Sequence, residues 1–317
     1  MPIDAIVFVH QGANRYLPMA LAQACKANPG RRIILLGDAS NADAGHLCSP
    51  GGNSGGNSGS IEHHAAWQPD KATQALASTY IHSSGNPAAA EIACLERWFV
   101  LARFCRAQAI KSVLYVDSDV MIFSDMLDAS CRFADCDFTL SYGICGHASY
   151  WNDISVLEGL CDFILSTYGG AQSAGLIAKL ESFGILSEAE IAHGISDMTM
   201  LKLFAKRHEG KVGETTDVID GTTFDNNISF PDHGAHQFQM HRGAKRLHWK
   251  NGQPFGTVAG SGQAIRFDLL HCQGIGKMYM ANLLANRSPV DVRGVAVERA
   301  LFEARKVTPQ WIRAILK

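Results

Sequence analysis

The chain has 317 residues, 47% of them hydrophobic, enough to bury an enzyme-sized core. Its formal net charge is −2 and its basic residues are spread along the chain, so the sequence encodes no positive face for nucleic-acid phosphates. No basic segment precedes an apolar run near the start, and no stretch of about 18 apolar residues occurs. The expectation is a cytosolic protein without a membrane span, folded as one domain over 1–317. Nine cysteines without a C-x-x-C pair point to buried free thiols, not to a disulfide or zinc framework.

In chain order, Ile3 to Val9 reads as a buried strand, Leu17 to Ala27 as a helix and Arg32 to Leu36 as a second strand, the opening of a parallel sheet. Residues 49–60 are a Gly/Asn/Ser repeat with no side chains able to join a core, and read as a flexible loop. Glu91 to Gln108 is apolar on most faces, which suits a helix packed against a sheet. Ser112 to Val116 follows as a central strand with Asp117 and Asp119 at its carboxyl end, where ligands bind in open parallel sheets. The next stretch reads as helix-rich up to Lys245. Beyond it, Asn251-Gly252 marks a hairpin, Ala264 to Leu270 is a strand that delivers His271, and about 280–317 reads as a helical extension.

A bare D-x-D is a weak signal, because 19 aspartates in a chain of this length yield about one such triplet by chance. Asp135-Cys136-Asp137 is the accidental copy, since no apolar strand leads into it. Asp117-Ser118-Asp119 does follow such a strand, and its paired oxygens suit a hard cation, although a solvated turn explains the same residues. His271-x-x-Gly274-x-x-Lys277 is the more specific pattern, expected about 0.05 times by chance. It offers an imidazole to a metal, a glycine to a close backbone approach and a lysine to a phosphate oxygen; a core histidine, a turn and a surface lysine are the bland counterpart.

These two motifs together resemble glycosyltransferase family 8 and its glycogenin-like relatives. The resemblance implies a GT-A (Rossmann-like) α/β fold, with a mostly parallel central sheet flanked by helices and a C-terminal hairpin and helices. It also implies a retaining transfer from a UDP-sugar, dependent on Mn²⁺ or Mg²⁺, to a carbohydrate, lipid or protein acceptor. On that resemblance Asp117, Asp119 and His271 hold the metal. Ser118, Gly274 and Lys277 belong to the donor site, Tyr16 stacks on the base, and Arg97 is a basic residue facing the donor. Asp197 contacts the transferred sugar. Met198 stands where the family has glutamine, and Met278-Tyr279 replaces its usual Pro-Trp.

His147, Trp151 and Asn152 fall between the acidic motif and Asp197 and are candidates for a substrate pocket, although helix entry and core aromatics fit them equally. Asp225-Asn226-Asn227 is a further candidate for contact with an acceptor, although a polar turn accounts better for the same residues. Neither a P-loop nor a G-x-G-x-x-G after the first strand is present, and no G-x-S-x-G elbow occurs. A nucleotidyltransferase, a non-catalytic sugar-nucleotide-binding module and a metal-dependent hydrolase remain as alternative classes.

Overall fold

The computed structural model describes residues 3–48, 61–169, 173–182 and 194–289. Helices and strands alternate at first: β1 (Ala5–Val9), α1 (Leu17–Ala27), β2 (Ile33–Gly37), β3 (Ile61–Ala65), α2 (Lys71–Thr79), α3 (Ala88–Ala107) and β4 (Val113–Val116). Then come β5 (Val120–Ile122), α4 (Met126–Ser130), β6 (Phe138–Leu140), β7 (Ala148–Trp151), α5 (Ile154–Tyr168), α6 (Ser173–Ser182) and α7 (Asp197–Arg207). Short strands dominate the rest: β8 (Val212–Glu214), β9 (Thr222–Phe224), β10 (Asp232–His233), β11 (His236–Gln237), β12 (Met240–His241) and β13 (Ala244–Lys245). The described part closes with β14 (Leu247–Lys250), β15 (Gln253–Thr257), β16 (Ala264–His271) and α8 (Met280–Leu284).

The chain divides into two compact units. The first comprises Met1–Asn14, Asn28–Ser118 and Asp125–Thr215, and is built on a seven-stranded sheet in the order β3-β2-β1-β4-β7-β6-β8. The pairs β2–β3, β1–β2, β1–β4 and β6–β8 are parallel, while β7 runs antiparallel to both its neighbours. Strands buried on both faces must be apolar throughout, and β1, β2 and β4 are buried at every position. The face-covering layer comes from α3, whose Leu95, Trp98, Phe99 and Leu101 pack with Leu157, Leu160 and Ile164 of α5 and with Met200, Leu201 and Phe204 of α7. Helix starts are set locally: Asp70 accepts from Thr73 N, and Asp153 accepts from Ser155 N at the head of α5.

The second unit comprises Arg15–Ala27, Asp119–Ser124 and Thr216–Lys317. Its sheet runs β14-β15-β16-β5, with β9 added in parallel to β16. Asn251 and Gly252, at φ of 53° and 75°, turn β14 into β15, the positive-φ pair that a two-residue hairpin requires. Helix α1 lies against β5, where Gln23 Nε2 donates to Ile122 O at 2.9 Å.

The α/β class and mostly parallel sheet are those expected from the sequence. The helix-rich reading up to Lys245 holds for α4 to α7 and is corrected around them: β6 to β13 are two to four residues long, too short for an alternating pattern to register. The 49–60 loop and the part of the C-terminal extension beyond 289 lie outside the described residues. Eight cysteines are free thiols among the described residues. No described helix is long and apolar enough to cross a membrane.

Candidate active site

In the first unit, Asp117 directly follows β4 and the site is organised by Arg97 of α3. Its guanidinium donates to Asp117 Oδ1 at 2.7 Å and also pairs closely with Asp197 Oδ2. The same cation lies 5.0 Å from the Trp98 ring centroid and 5.4 Å from that of Tyr115. The Tyr115 hydroxyl donates closely to Asp117 Oδ1. Burial disfavours the charge on Arg97, but the neighbouring carboxylates outweigh it and hold its pKa well above the usual value. One arginine therefore fixes two carboxylates, Asp117 and Asp197, that are far apart in sequence.

Asp197 is placed by a steric device in the backbone. Gly194 takes φ of 100°, and a Cβ there would stand 2.5 Å from Ser83 O, so only glycine lets this strand edge close against residues 83–84. Ser196 follows as the N-cap of α7, its N–H donating to Thr199 Oγ1 at 3.2 Å. Asp197 is then the first residue of the helix, where the helix dipole favours a carboxylate.

Ser118 is buried, its Oγ 2.9 Å from His10 Nδ1 at the end of β1. His10 belongs to a polar network over the carboxyl ends of β1 and β2. Asn41 Nδ2 donates to His10 O at 3.1 Å, and Asp38 Oδ2 accepts from Gly12 N at 2.7 Å. Asp38 stays below the usual carboxylate range: burial pushes up, and the Ser40 and Gly12 donors prevail. His10, Asp38, Asn41 and Tyr115 were not singled out in the sequence. Their signal was positional, since each stands on or just past β1, β2 or β4 of the same parallel sheet.

The three proposed pocket residues separate. His147 is buried at the head of β7, where its carbonyl accepts from Asp117 N at 2.7 Å and its Nδ1 lies 3.3 Å from Cys145 Sγ. Trp151 is fully buried, stacked on Phe138 at 4.8 Å and 8° and packed against Trp98 at 5.7 Å. In place of the expected sugar platform, it is a core side chain with its ring covered. Asn152 likewise turns inward, its Nδ2 donating to Phe133 O at 2.6 Å and Cys136 O at 2.7 Å. The accidental Asp135-Cys136-Asp137 has a structural role, with Asp137 Oδ2 2.8 Å from His208 Nδ1.

The chain passes into the second unit between Ser118 and Asp119. Here β16 pairs with β5 so that His271 stands opposite Val120, and Cys272 N donates to Asp119 O at 2.8 Å. That register brings Asp119 Oδ1 to 3.6 Å from His271 Nε2 and Asp119 Oδ2 to 2.8 Å from Lys277 Nζ. At 3.6 Å the imidazole and carboxylate are too far apart for a hydrogen bond. His271 Nδ1 is committed elsewhere, 2.6 Å from Asn226 O. Burial opposes the charge on Asp119, yet His271 and Lys277 hold its pKa well below the usual carboxylate range. Lys277 Nζ also sits 5.2 Å from the Tyr16 ring centroid. Gly274, at φ of 59°, carries the turn between His271 and Lys277, and a Cβ there would meet open space. Tyr16, Asp119, His271, Gly274 and Lys277 are thus assembled within this unit.

Asp225 and Asn227, in the sequence either a polar turn or an acceptor contact, are buried. Lys245 Nζ donates to Asp225 Oδ1 at 2.5 Å and to Asn227 O at 2.7 Å, with neither charged side chain exposed.

No family model and no curated protein matches the chain. Among solved structures it is similar to the apo form of mouse xyloside xylosyltransferase 1, at 9% identity over 66% of this chain and 84% of that one, TM-score 0.44. It is similar to the galactosyltransferase LgtC in complex with donor and acceptor sugar analogs, at 15% identity over 71% of this chain and 74% of that one, TM-score 0.38. A third is the glycosyltransferase GlyE of Streptococcus pneumoniae TIGR4, at 12% identity over 68% of this chain and 45% of that one, TM-score 0.33. These three neighbours are glycosyltransferases.

Proposed function

We propose that this chain is a GT-A glycosyltransferase that moves a sugar, with retention, from a UDP-sugar to a carbohydrate, lipid or protein acceptor, using Mn²⁺ or Mg²⁺. The observation that carries this reading is the Asp119–His271–Lys277 constellation: a carboxylate held ionised, an imidazole with Nδ1 already bonded, and an ammonium beside them. In this reading Asp119 and His271 of the second unit would hold the ion, and Asp117, two residues earlier in the chain, would add a second carboxylate. The carboxylates suit Mn²⁺ or Mg²⁺, and the imidazole favours Mn²⁺ of the two, since Mg²⁺ takes oxygen ligands. The ion when bound acts as a Lewis acid toward the departing diphosphate.

The chain's own residues supply the rest. Lys277 neutralises a β-phosphate oxygen, strengthening as negative charge develops on the leaving group. Tyr16, in contact with Lys277, offers its ring to the uracil. Gly274 leaves the turn open for a phosphate to approach the backbone. Arg97 holds Asp117 and Asp197 in fixed orientation, and Asp197 orients the sugar and balances positive charge at its anomeric carbon.

A thermal-shift panel of UDP-, GDP- and dTDP-sugars with and without Mn²⁺ tests the donor class. A UDP-specific, Mn²⁺-dependent shift is expected; no shift with any nucleotide sinks the reading. Proton NMR of the first-formed product reads the anomeric outcome. Release of pyrophosphate from a nucleoside triphosphate, without UDP release from any UDP-sugar, would replace it with nucleotidyl transfer. Unchanged Mn²⁺-dependent turnover in Asp119→Ala would overturn the assignment of the metal.

A further inference from the structure

The second unit contains a buried ion pair that the proposed mechanism does not use. Lys245 and Asp225 are both without side-chain exposure and lie 2.5 Å apart. Taking two charges out of water is costly, and such a pair is a poor way to stabilise a core, since apolar side chains of the same volume often do as well. Its contacts, however, converge on one segment.

Lys245 on β13 reaches residues 225–228 from three directions: Nζ to Asp225 Oδ1, Nζ to Asn227 O at 2.7 Å, and its own N–H to Ile228 O at 2.7 Å. The same segment is tied to the end of β16. Asp225 N donates to Leu269 O at 3.1 Å, Asp225 Oδ2 accepts from His271 N at 3.2 Å, and Ile228 N donates to His271 O at 3.0 Å. Asn227 Nδ2 donates to Gln273 Oε1 at 2.9 Å on the far side. The residue enclosed by these bonds is Asn226, whose carbonyl accepts from His271 Nδ1 at 2.6 Å. A carbonyl oxygen can only accept, so this bond requires the proton on Nδ1, and in the neutral imidazole the lone pair is then on Nε2, the atom facing Asp119.

We propose that Lys245 and Asp225 are positioning residues that lock the Asn226 carbonyl against His271 and so fix the imidazole as the Nδ1–H tautomer, with Nε2 presented for metal binding. The consequence for Mn²⁺ rests on the metal reading above; the tautomer does not.

Two readouts test it on the intact chain carrying Lys245→Met, and carrying Lys245→Met with Asp225→Asn, each checked for folding by circular dichroism. The single variant leaves a buried carboxylate without its cation and is expected to lower the Tm; the double variant removes both charges and recovers much of it. If Lys245→Met does not fold, the double variant alone decides. In metal-free protein at pH 8, nitrogen-15 correlation of the imidazoles is expected to show His271 as Nδ1–H in the wild type and as a mixture or as Nε2–H in both variants. Titration with Mn²⁺ alone is expected to show affinity weakened by about tenfold or more in both, including the double variant whose Tm recovers, as for loss of groups supporting a metal ligand.

An unchanged Nδ1–H tautomer in a folded variant overturns the proposal, as does Mn²⁺ affinity within about twofold of a wild type that binds the ion. A wild type that binds no Mn²⁺, with a tautomer that still shifts in the variants, removes the metal reading and leaves the lock standing.

Discussion

Lys277 Nζ lies 2.8 Å from Asp119 Oδ2, the carboxylate whose other oxygen faces His271. The lysine is thus both partner to the acidic motif and, in the proposed reaction, counterion to the diphosphate. Lys277→Met separates the two roles. Free Mn²⁺ is expected to bind at least as tightly as in the wild type, because a neighbouring positive charge has gone. UDP in the presence of Mn²⁺ is expected to bind on the order of tenfold more weakly, the loss of one charge-assisted contact of about 1.5 kcal/mol. Isothermal titration of each ligand checks both signs.

Arg97 carries a different load. Both its carboxylate partners are mostly buried, at 24% and 7% exposure, so Arg97→Leu leaves two negative charges facing each other without a cation. Removal of one partner from such a cluster costs about 3 kcal/mol or more, read by urea denaturation. Arg97→Lys keeps the charge but not the planar fork, and is expected to lose donor turnover by more than it loses stability.

For Trp151 the structure gives a stability prediction and no binding one. Trp151→Ala empties the space against Phe138 and Trp98 and is expected to cost about 3–5 kcal/mol. Trp151→Phe retains the stack and much of the stability. Affinity for UDP and Mn²⁺ in the folded Phe variant should equal that of the wild type; a large loss there would return Trp151 to the substrate pocket.

His233 supplies the pH dependence. Buried at the end of β10, with Nε2 2.7 Å from Thr223 Oγ1, it has its pKa pushed down to about 4 by burial. The unfolded chain takes up the same proton near pH 6.5, at about the ordinary histidine value. Protons therefore bind preferentially to the unfolded state between those limits, and stability falls as pH drops from about 6.5 to 4. In His233→Gln this part of the acid sensitivity is expected to vanish, read as a flatter Tm-against-pH profile across that window.

What the sequence disclosed follows the length scale of each signal. Strands β1, β2 and β4 were legible because burial on both faces makes them unbroken apolar runs, and β16 because eight residues end on a motif histidine. Strands β6 to β13 were not, since two to four residues cannot display a period. Asp119, His271 and Lys277 were found by motif and do meet. The Arg97 bridge was only half visible: each residue was a candidate, but nothing local says that one guanidinium takes both Asp117 and Asp197. Trp151 and Asn152 went the other way, because composition does not distinguish an aromatic under a sheet from one lining a cleft. The Lys245–Asp225 pair was hidden for the same reason, a charged residue being read by default as solvated.

The pairing of β16 with β5 sets His271 opposite Val120, one step beyond Asp119. Side chains alternate faces along a strand, so a shift of one position would send the imidazole to the opposite face while leaving composition and apolar content intact. For this protein the count of residues between Ala264 and His271 is therefore as exacting as their identity. Removing one residue from β16 should abolish the meeting of imidazole and carboxylate as completely as deleting the histidine itself.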